Sequence, residues 1–154
     1  MLKVSLRQLE KQALTLSGEL PAAELELPEE PGESFGPVHY ELSVARIVGG
    51  VLVRGRLSVA VHGPCGRCLR EFDYLLTPPE VCHLYEQVQG EELDLAPELR
   101  EDLLIALPMK RLCREDCRGL CPVCGGDRNR RSCRCALPGA DPDRWAALDS
   151  LSER

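Results

Sequence analysis

The sequence predicts an α+β fold: an antiparallel β meander packed on a helix, with a C-terminal Cys-rich zinc-binding module. Three observations predict it. Residues 51–61 alternate apolar and polar side chains, a leucine stripe runs through 95–107, and six of the nine cysteines fall between 113 and 135. A period of two gives a strand one buried face, and a step of four gives a helix one. Clustered thiols in a segment with few apolar side chains call for a metal.

Residues 1–20 read as a short strand or helix followed by a second short strand, Ala13-Leu-Thr-Leu-Ser17. The stretch 21–37 carries four prolines among glutamates and reads as a solvated, loosely ordered acidic loop. Val38-His-Tyr-Glu-Leu-Ser-Val-Ala-Arg-Ile-Val48 is a half-buried strand with Tyr40, Leu42, Val44 and Val48 on one face. Gly49-Gly50 supplies the positive φ of a primed hairpin turn. In the next strand Val51, Val53, Leu57, Val59 and Val61 face inward, against Arg54, Arg56, Ser58 and Ala60, and Gly63-Pro64 ends it. Phe72-Asp-Tyr-Leu-Leu76 is a third strand; Val81-Cys-His-Leu-Tyr-Glu86 continues it or forms a fourth after Pro78-Pro79.

Leu95, Leu99, Leu103 and Leu107, broadened by Leu104 and Ala106, predict a helix over 95–107 that packs on the sheet. Asp94 precedes it, Pro97 fits its first turn and Pro108 stops it. Asp141-Pro-Asp-Arg-Trp145 opens a short last helix with Trp145, Leu148 and Leu151 on its apolar side. Two regions follow: 1–109, a mostly-β core with acidic loop 21–37 and helix 95–107, and 110–154, a basic Cys-rich metal module with the short C-terminal helix.

At 154 residues the chain has room for one hydrophobic core, filled by Leu and Val because aromatics are only 4%. No run is long enough for a membrane helix, and the opening residues lack a signal-peptide h-region, so the expected setting is the reducing cytoplasm. An odd cysteine count in that setting argues against a disulfide framework.

Cys113, Cys117, Cys121, Cys124, Cys133 and Cys135 are the first candidate ligands, and Cys121-Pro-Val-Cys124-Gly-Gly has the form of a zinc knuckle. Zinc wants four soft ligands in a tetrahedron, and binding it supplies folding energy that a short Gly/Arg-rich segment lacks. Six thiols exceed one tetrahedron. Either two are spare, or Cys65 and Cys68 raise the number to eight and make two tetrathiolate sites. Ligand type alone also admits an iron–sulfur cluster. Cys65-x2-Cys68 sits in a hairpin setting, not at the helix N-terminus of a thioredoxin-like pair. Cys82 reads as a small buried hydrophobe, and His39, His62 and His83 as structural. No phosphate loop, catalytic triad or H-E-x-x-H motif argues for an enzyme.

Charge is distributed unevenly. Residues 1–109 carry 9 Lys/Arg against 18 Asp/Glu, whereas residues 110–135 carry 8 against 3. A basic island on the Cys-rich segment suits an anionic partner, with RNA the natural candidate. Arg128, Arg130, Arg131 and Arg134 are the candidate RNA contacts, because Arg pairs with phosphate and stacks on unpaired bases. The competing reading is that arginines balance the charge of a thiolate metal centre.

Cys65-Gly-Arg-Cys-Leu69, Leu103-Leu-Ile-Ala-Leu-Pro108, Cys113-Arg-Glu-Asp-Cys-Arg-Gly-Leu-Cys-Pro-Val-Cys-Gly125, Cys133-Arg-Cys135 and Asp141-Pro142 resemble, in order, the YceD family. Its members are large ribosomal RNA subunit accumulation proteins of bacteria and plastids. The resemblance runs from about residue 40 to 151. Two departures stand out: Asp127-Arg-Asn129 where the family often has Asn-Leu-Asn, and Asp143 inserted before Arg144. The resemblance implies a non-catalytic, zinc-stabilised ribosome-biogenesis factor for large-subunit ribosomal RNA. Its implied partners are that RNA or a precursor particle, with ribosomal or assembly proteins beside them. Two other classes remain: a zinc-stabilised protein–protein adaptor, and a thiol oxidoreductase using Cys65 and Cys68.

Overall fold

The structure, a computed structural model, describes residues 2–28 and 31–135; the helix expected from Asp141 lies outside the described residues. In chain order the elements are β1 (Lys3–Ser5), α1 (Leu6–Leu9), β2 (Leu14–Leu20), a 3₁₀ turn (Ala22–Leu25), β3 (Ser34–Ile47), β4 (Gly50–Pro64), β5 (Glu71–Leu76), β6 (Val81–Glu86), β7 (Glu92–Asp94) and α2 (Ala96–Ala106).

The long strand β4 is the spine. Its alternation is borne out in full: Val51, Val53, Leu57, Val59 and Val61 are all buried. One edge pairs antiparallel with β3, which pairs in turn with β2. The other edge takes β5 opposite residues 59–64 and β6 opposite residues 50–55. These two strands lie end to end as one broken fourth strand, so the order is that of a meander. At the break, residues 77–80 of the fourth strand oppose residues 56–58 of β4. One extra residue inverts the side-chain alternation. Leu76 faces the core from an even position and Val81 from an odd one. That inversion corrects the reading of Cys82: it is exposed, while Val81 is the buried residue.

Three further expectations change. The hairpin turn between β3 and β4 is made by Val48 and Gly49, since Ile47 pairs with Gly50. Of these, Gly49 alone has positive φ, at 98°. Val48 therefore sits in the turn and is fully exposed instead of joining the buried face. Gly50 belongs to β4, where a Cβ would meet the Tyr85 carbonyl oxygen. The acidic loop is also shorter and better anchored than 21–37 suggests. β3 begins at Ser34, and Leu25 and Leu27 are buried between the solvated glutamates. Two leucines are enough to pin the segment, and the Arg100 Nε–H donates to the Glu26 carbonyl at 3.1 Å.

α2 closes the core as its stripe requires. Leu95, Leu99 and Leu103 are buried in the same cluster as the valines of β4, and Leu107 packs at its margin. Burial of each such side chain stabilises by roughly 1.5–3 kcal/mol. The Asp94 carboxylate accepts the Ala96 N–H at 3.0 Å, and Pro97 lies in the first turn. A small ladder, β1 with β7, joins the start of the chain to the entry of α2 and was not legible in the sequence. The histidines pair with carboxylates: His39 with Glu19 at 3.2 Å, His62 with Asp73 at 2.8 Å, and His83 with Asp102 at 2.7 Å. β4 ends at Pro64, immediately before Cys65, and the chain leaving α2 at Pro108 returns to the same end of the sheet, where the Gly66 N–H donates to the Arg111 carbonyl at 2.7 Å.

Candidate metal centres

Two groups of four cysteines form, and they cut across the grouping suggested by spacing. Cys65, Cys68, Cys113 and Cys117 bring their sulfurs within 4.8 Å of one another, as do Cys121, Cys124, Cys133 and Cys135. Each group could hold a metal ion. The candidate set of six is therefore split: Cys113 and Cys117 join the hairpin pair Cys65 and Cys68, and the remaining four make a second centre. No cysteine of the eight is spare. A boundary between residues 109 and 110 leaves the first centre astride it.

In the first centre the Cys65 and Cys117 sulfurs are 3.8 Å apart, and so are those of Cys68 and Cys113. A tetrahedron with metal–sulfur bonds of about 2.3 Å has edges of about 3.8 Å. A disulfide would need about 2 Å. Cys65, Cys68 and Cys117 are buried and pack with Phe72, Leu112 and Leu120. Around the sulfurs, the Cys113 N–H points at Cys65 Sγ at 3.4 Å and the Arg70 guanidinium at Cys113 Sγ at 3.4 Å.

The two centres share a knuckle. In the second, Gly125 follows Cys124 with φ of 68°, and its N–H donates to the Cys121 carbonyl at 2.8 Å. In the first, Leu69 follows Cys68 with φ of 60°, and its N–H donates to the Cys65 carbonyl at 2.9 Å. The same turn is built once on glycine and once on leucine, so the first knuckle escapes a reading that looks for glycine. Left-handed backbone costs a non-glycine residue about 1–2 kcal/mol, and the Leu69 side chain is exposed. Leu69→Gly is therefore expected to leave stability unchanged or raise it by up to about 1 kcal/mol, the added chain entropy offsetting part of the relief. Gly125→Leu should cost about 1–2 kcal/mol. Denaturant titration of the metal-loaded proteins measures both, and a clear loss in Leu69→Gly would mean that this side chain has a packing role.

Backbone contacts bind the hairpin to the later segment. The Leu120 N–H donates to the Arg67 carbonyl at 3.1 Å, and the Arg67 guanidinium donates to the Cys117 carbonyl at 2.9 Å. Gly119 makes the approach possible: its φ is 68°, and a Cβ there would lie 3.0 Å from the Arg67 carbonyl oxygen. Asn129 joins the two centres. Its Oδ1 accepts from the Arg118 N–H at 2.8 Å and from the Arg114 guanidinium at 2.9 Å, and its Nδ2 donates to Asp127 at 2.7 Å and to Cys117 Sγ at 3.5 Å. Arg67, Arg70, Gly119 and Asn129 had no role in the sequence reading. The cysteine motifs that carry Arg67 and Gly119, and the Asp127-Arg-Asn129 departure, mark the place without the contacts.

The donor chemistry fits a cation. At Cys65 burial opposes the thiolate, yet the N–H groups of Cys113, Cys68 and Arg67 hold the thiol down at about 6. At Cys121 the N–H groups of Cys124 and Val123 lead, with the Cys133 thiol behind them, and hold it at about 6. Each centre also has a reluctant member. The Arg70 N–H favours a thiolate at Cys68, but burial and the sulfurs of Cys65, Cys117 and Cys113 push it up to about 12. The Cys124 thiol, then burial, push Cys135 up to about 12. Four crowded thiols cannot all ionise alone, and a divalent cation removes that conflict.

The candidate RNA contacts Arg128, Arg130, Arg131 and Arg134 are all exposed. The first three lie in the loop between Cys124 and Cys133, and Arg134 lies between the last two cysteines. Arg130 pairs with Asp127 at 3.7 Å. The Arg131 guanidinium lies over Gly126, 3.3 Å from where a Cβ would stand.

Residues 80–152 match the family described as large ribosomal RNA subunit accumulation protein YceD. This is the family whose resemblance the cysteine motifs carry, and the matched span leaves Cys65 and Cys68 outside it. An uncharacterized protein of Mycobacterium tuberculosis is 30% identical over 100 residues, covering 55% of this chain and 48% of the relative. One of Mycobacterium leprae is 29% identical over 135 residues, covering 75% and 59%. The large ribosomal RNA subunit accumulation protein YCED homolog 1, chloroplastic, of Arabidopsis thaliana is 30% identical over 82 residues, covering 53% and 22%. The chain spans about half the length of the mycobacterial relative it matches at 30% identity. No solved structure matches it significantly.

Proposed function

We propose, from the YceD likeness carried by residues 80–152, that this chain is a non-catalytic factor supporting accumulation of large-subunit ribosomal RNA, stabilised by two zinc ions. The family description and the printed name of the Arabidopsis relative support a ribosome-biogenesis role. Zinc is supported by two four-thiol centres, each opened by a knuckle, the first with sulfur spacings of 3.8 Å that suit a tetrahedron. In this reading Cys65, Cys68, Cys113 and Cys117 hold one ion, and Cys121, Cys124, Cys133 and Cys135 the other. The ions organise the backbone that displays Arg128, Arg130, Arg131 and Arg134. The partner is ribosomal RNA or a precursor particle, with ribosomal or assembly proteins beside it, in the cytoplasm. Among the described residues no helix is long and apolar enough to cross a membrane.

The thiol oxidoreductase reading loses ground on geometry. An attacking sulfur must be reached by its substrate, and Cys65 is fully buried among three other thiols. The adaptor reading is separated by co-sedimentation with large-subunit precursors across a salt series. Association through RNA should fall steeply as salt rises, by counterion release. Association with a purified protein partner that persists without RNA, and is insensitive to salt, would overturn the RNA reading in favour of an adaptor.

A further inference from the structure

Where the sheet meets the first metal centre there is an open cleft of about 550 Å³, far from the Arg128–Arg134 loop in sequence and not part of either cysteine group. Its apolar walls are Pro31, Pro64, Met109 and Leu112. Met109 is fully exposed and so is accessible to an occupant of the cleft. The charged groups of the cleft are Arg67, Lys110, Arg111 and Glu33, three cations to one carboxylate. Glu33 is nearly buried and ion-paired with Arg111, so its charge is already met inside the protein. Lys110 stands exposed at the rim.

We infer that this cleft receives one unpaired nucleotide of single-stranded RNA; the inference rests on the RNA-binding reading above and adds a second, separate contact to it. The observations carry each part of the occupant. The volume lies within the range of about 300–1,000 Å³ typical of small-molecule sites. Pyrrolidine rings and a thioether offer flat or adaptable apolar surface to the faces of a base. Surplus positive charge suits the phosphate, and Lys110 is a mobile point charge able to meet it at the rim. The Glu33 carboxylate is taken up by Arg111 beneath the surface, so the charge exposed at the rim is that of Lys110. A base held in a duplex stack cannot enter such a concavity, so the cleft selects unpaired strands.

The test uses the full metal-loaded chain, a short single-stranded RNA substituted with thiouridine, and a duplex of the same sequence. Photocrosslinks are expected in the peptides holding Met109 to Leu112 or Pro31, with the duplex giving none there. Met109→Ala with Lys110→Gln, both at exposed positions, should weaken single-strand binding by roughly tenfold and lower the salt slope by about one contact. Crosslinks confined to residues 128–134, with affinity unchanged in the double variant, would overturn the cleft while leaving RNA binding intact. No binding of any RNA would overturn both. Competition by an acidic peptide as effective as by RNA would make the cleft a general anion groove and reject the nucleotide.

Discussion

Cys65→Ser is expected to release one metal ion per chain and to disorder the whole junction between sheet and C-terminal segment, whereas Cys124→Ser releases the other ion at far smaller cost. The asymmetry follows from burial. The Cys65 sulfur is fully buried, and its loss leaves three thiols crowded in an apolar pocket beside Phe72, Leu112 and Leu120. The contacts that go with it are the ones holding the hairpin to the returning chain: Gly66 to Arg111, Leu120 to Arg67, and Arg67 to Cys117. Cys124 is exposed, and its loop returns to the rest of the chain mainly through Asn129 and the Arg128 N–H on the Gly119 carbonyl. Structural zinc contributes on the order of 10 kcal/mol of apparent binding free energy in small domains. Net stabilities of whole domains are about 5–15 kcal/mol. Cys65→Ser should therefore lower Tm by on the order of 10 °C or more, and Cys124→Ser by clearly less. Elemental analysis should read two zinc ions in the parent and one in each variant. Equal losses of stability would sink the asymmetry, and a parent free of zinc would remove both centres as proposed. The same samples test the proposed division into 1–109 and 110–154: with chelator, far-UV signal from the sheet should survive if the valine core stands alone.

What the sequence made legible is what local physics decides. The period-two run through Val51 to Val61 and the leucine stripe of α2 each name their buried face without knowing what lies opposite. The cysteines needed more than spacing. Cys113 and Cys117 stand eight and four residues from Cys121 in sequence, yet their partners are Cys65 and Cys68, some fifty residues earlier, as the Cys65–Cys117 contact shows. Nothing local encodes that choice. It is made by the chain reversal after Pro108, which lays the backbone of residues 109–112 beside the hairpin. The misplacement of Cys82 has a similar origin. One additional residue at 77–80 flips every side chain beyond it, and a prolyl pair signals a break without telling its parity. Leu25 and Leu27 were hidden by their acidic neighbours, because a count of charges over a window does not register two side chains that turn inward.

Replacing Arg128, Arg130 and Arg131 together by Gln is expected to leave zinc content and folding intact and to reduce association with precursor particles most at low salt. Formal charge sharpens the case. A divalent ion on four thiolates is a doubly negative centre, so two such centres absorb much of the positive surplus of residues 110–135. Attraction for RNA must then come from where the arginines stand, not from net charge. Arg70, on Cys113 Sγ, is placed to balance a centre, and Arg131 packs over Gly126. Arg128 is exposed, and Arg130 meets Asp127 only at 3.7 Å, which in water is worth little. If all three side chains reach phosphates, their loss should shrink the slope of log affinity against log salt by about two on single strands, and affinity at low salt should fall on the order of a hundredfold. If only Arg131 balances charge and the other two bind, the slope changes by less and zinc retention weakens in Arg131→Gln alone. Measuring the three single variants beside the triple one separates these cases. A triple variant that binds precursor particles like the parent at every salt concentration would reduce the island to charge balance. The cleft beside Met109 would then be the contact left to test.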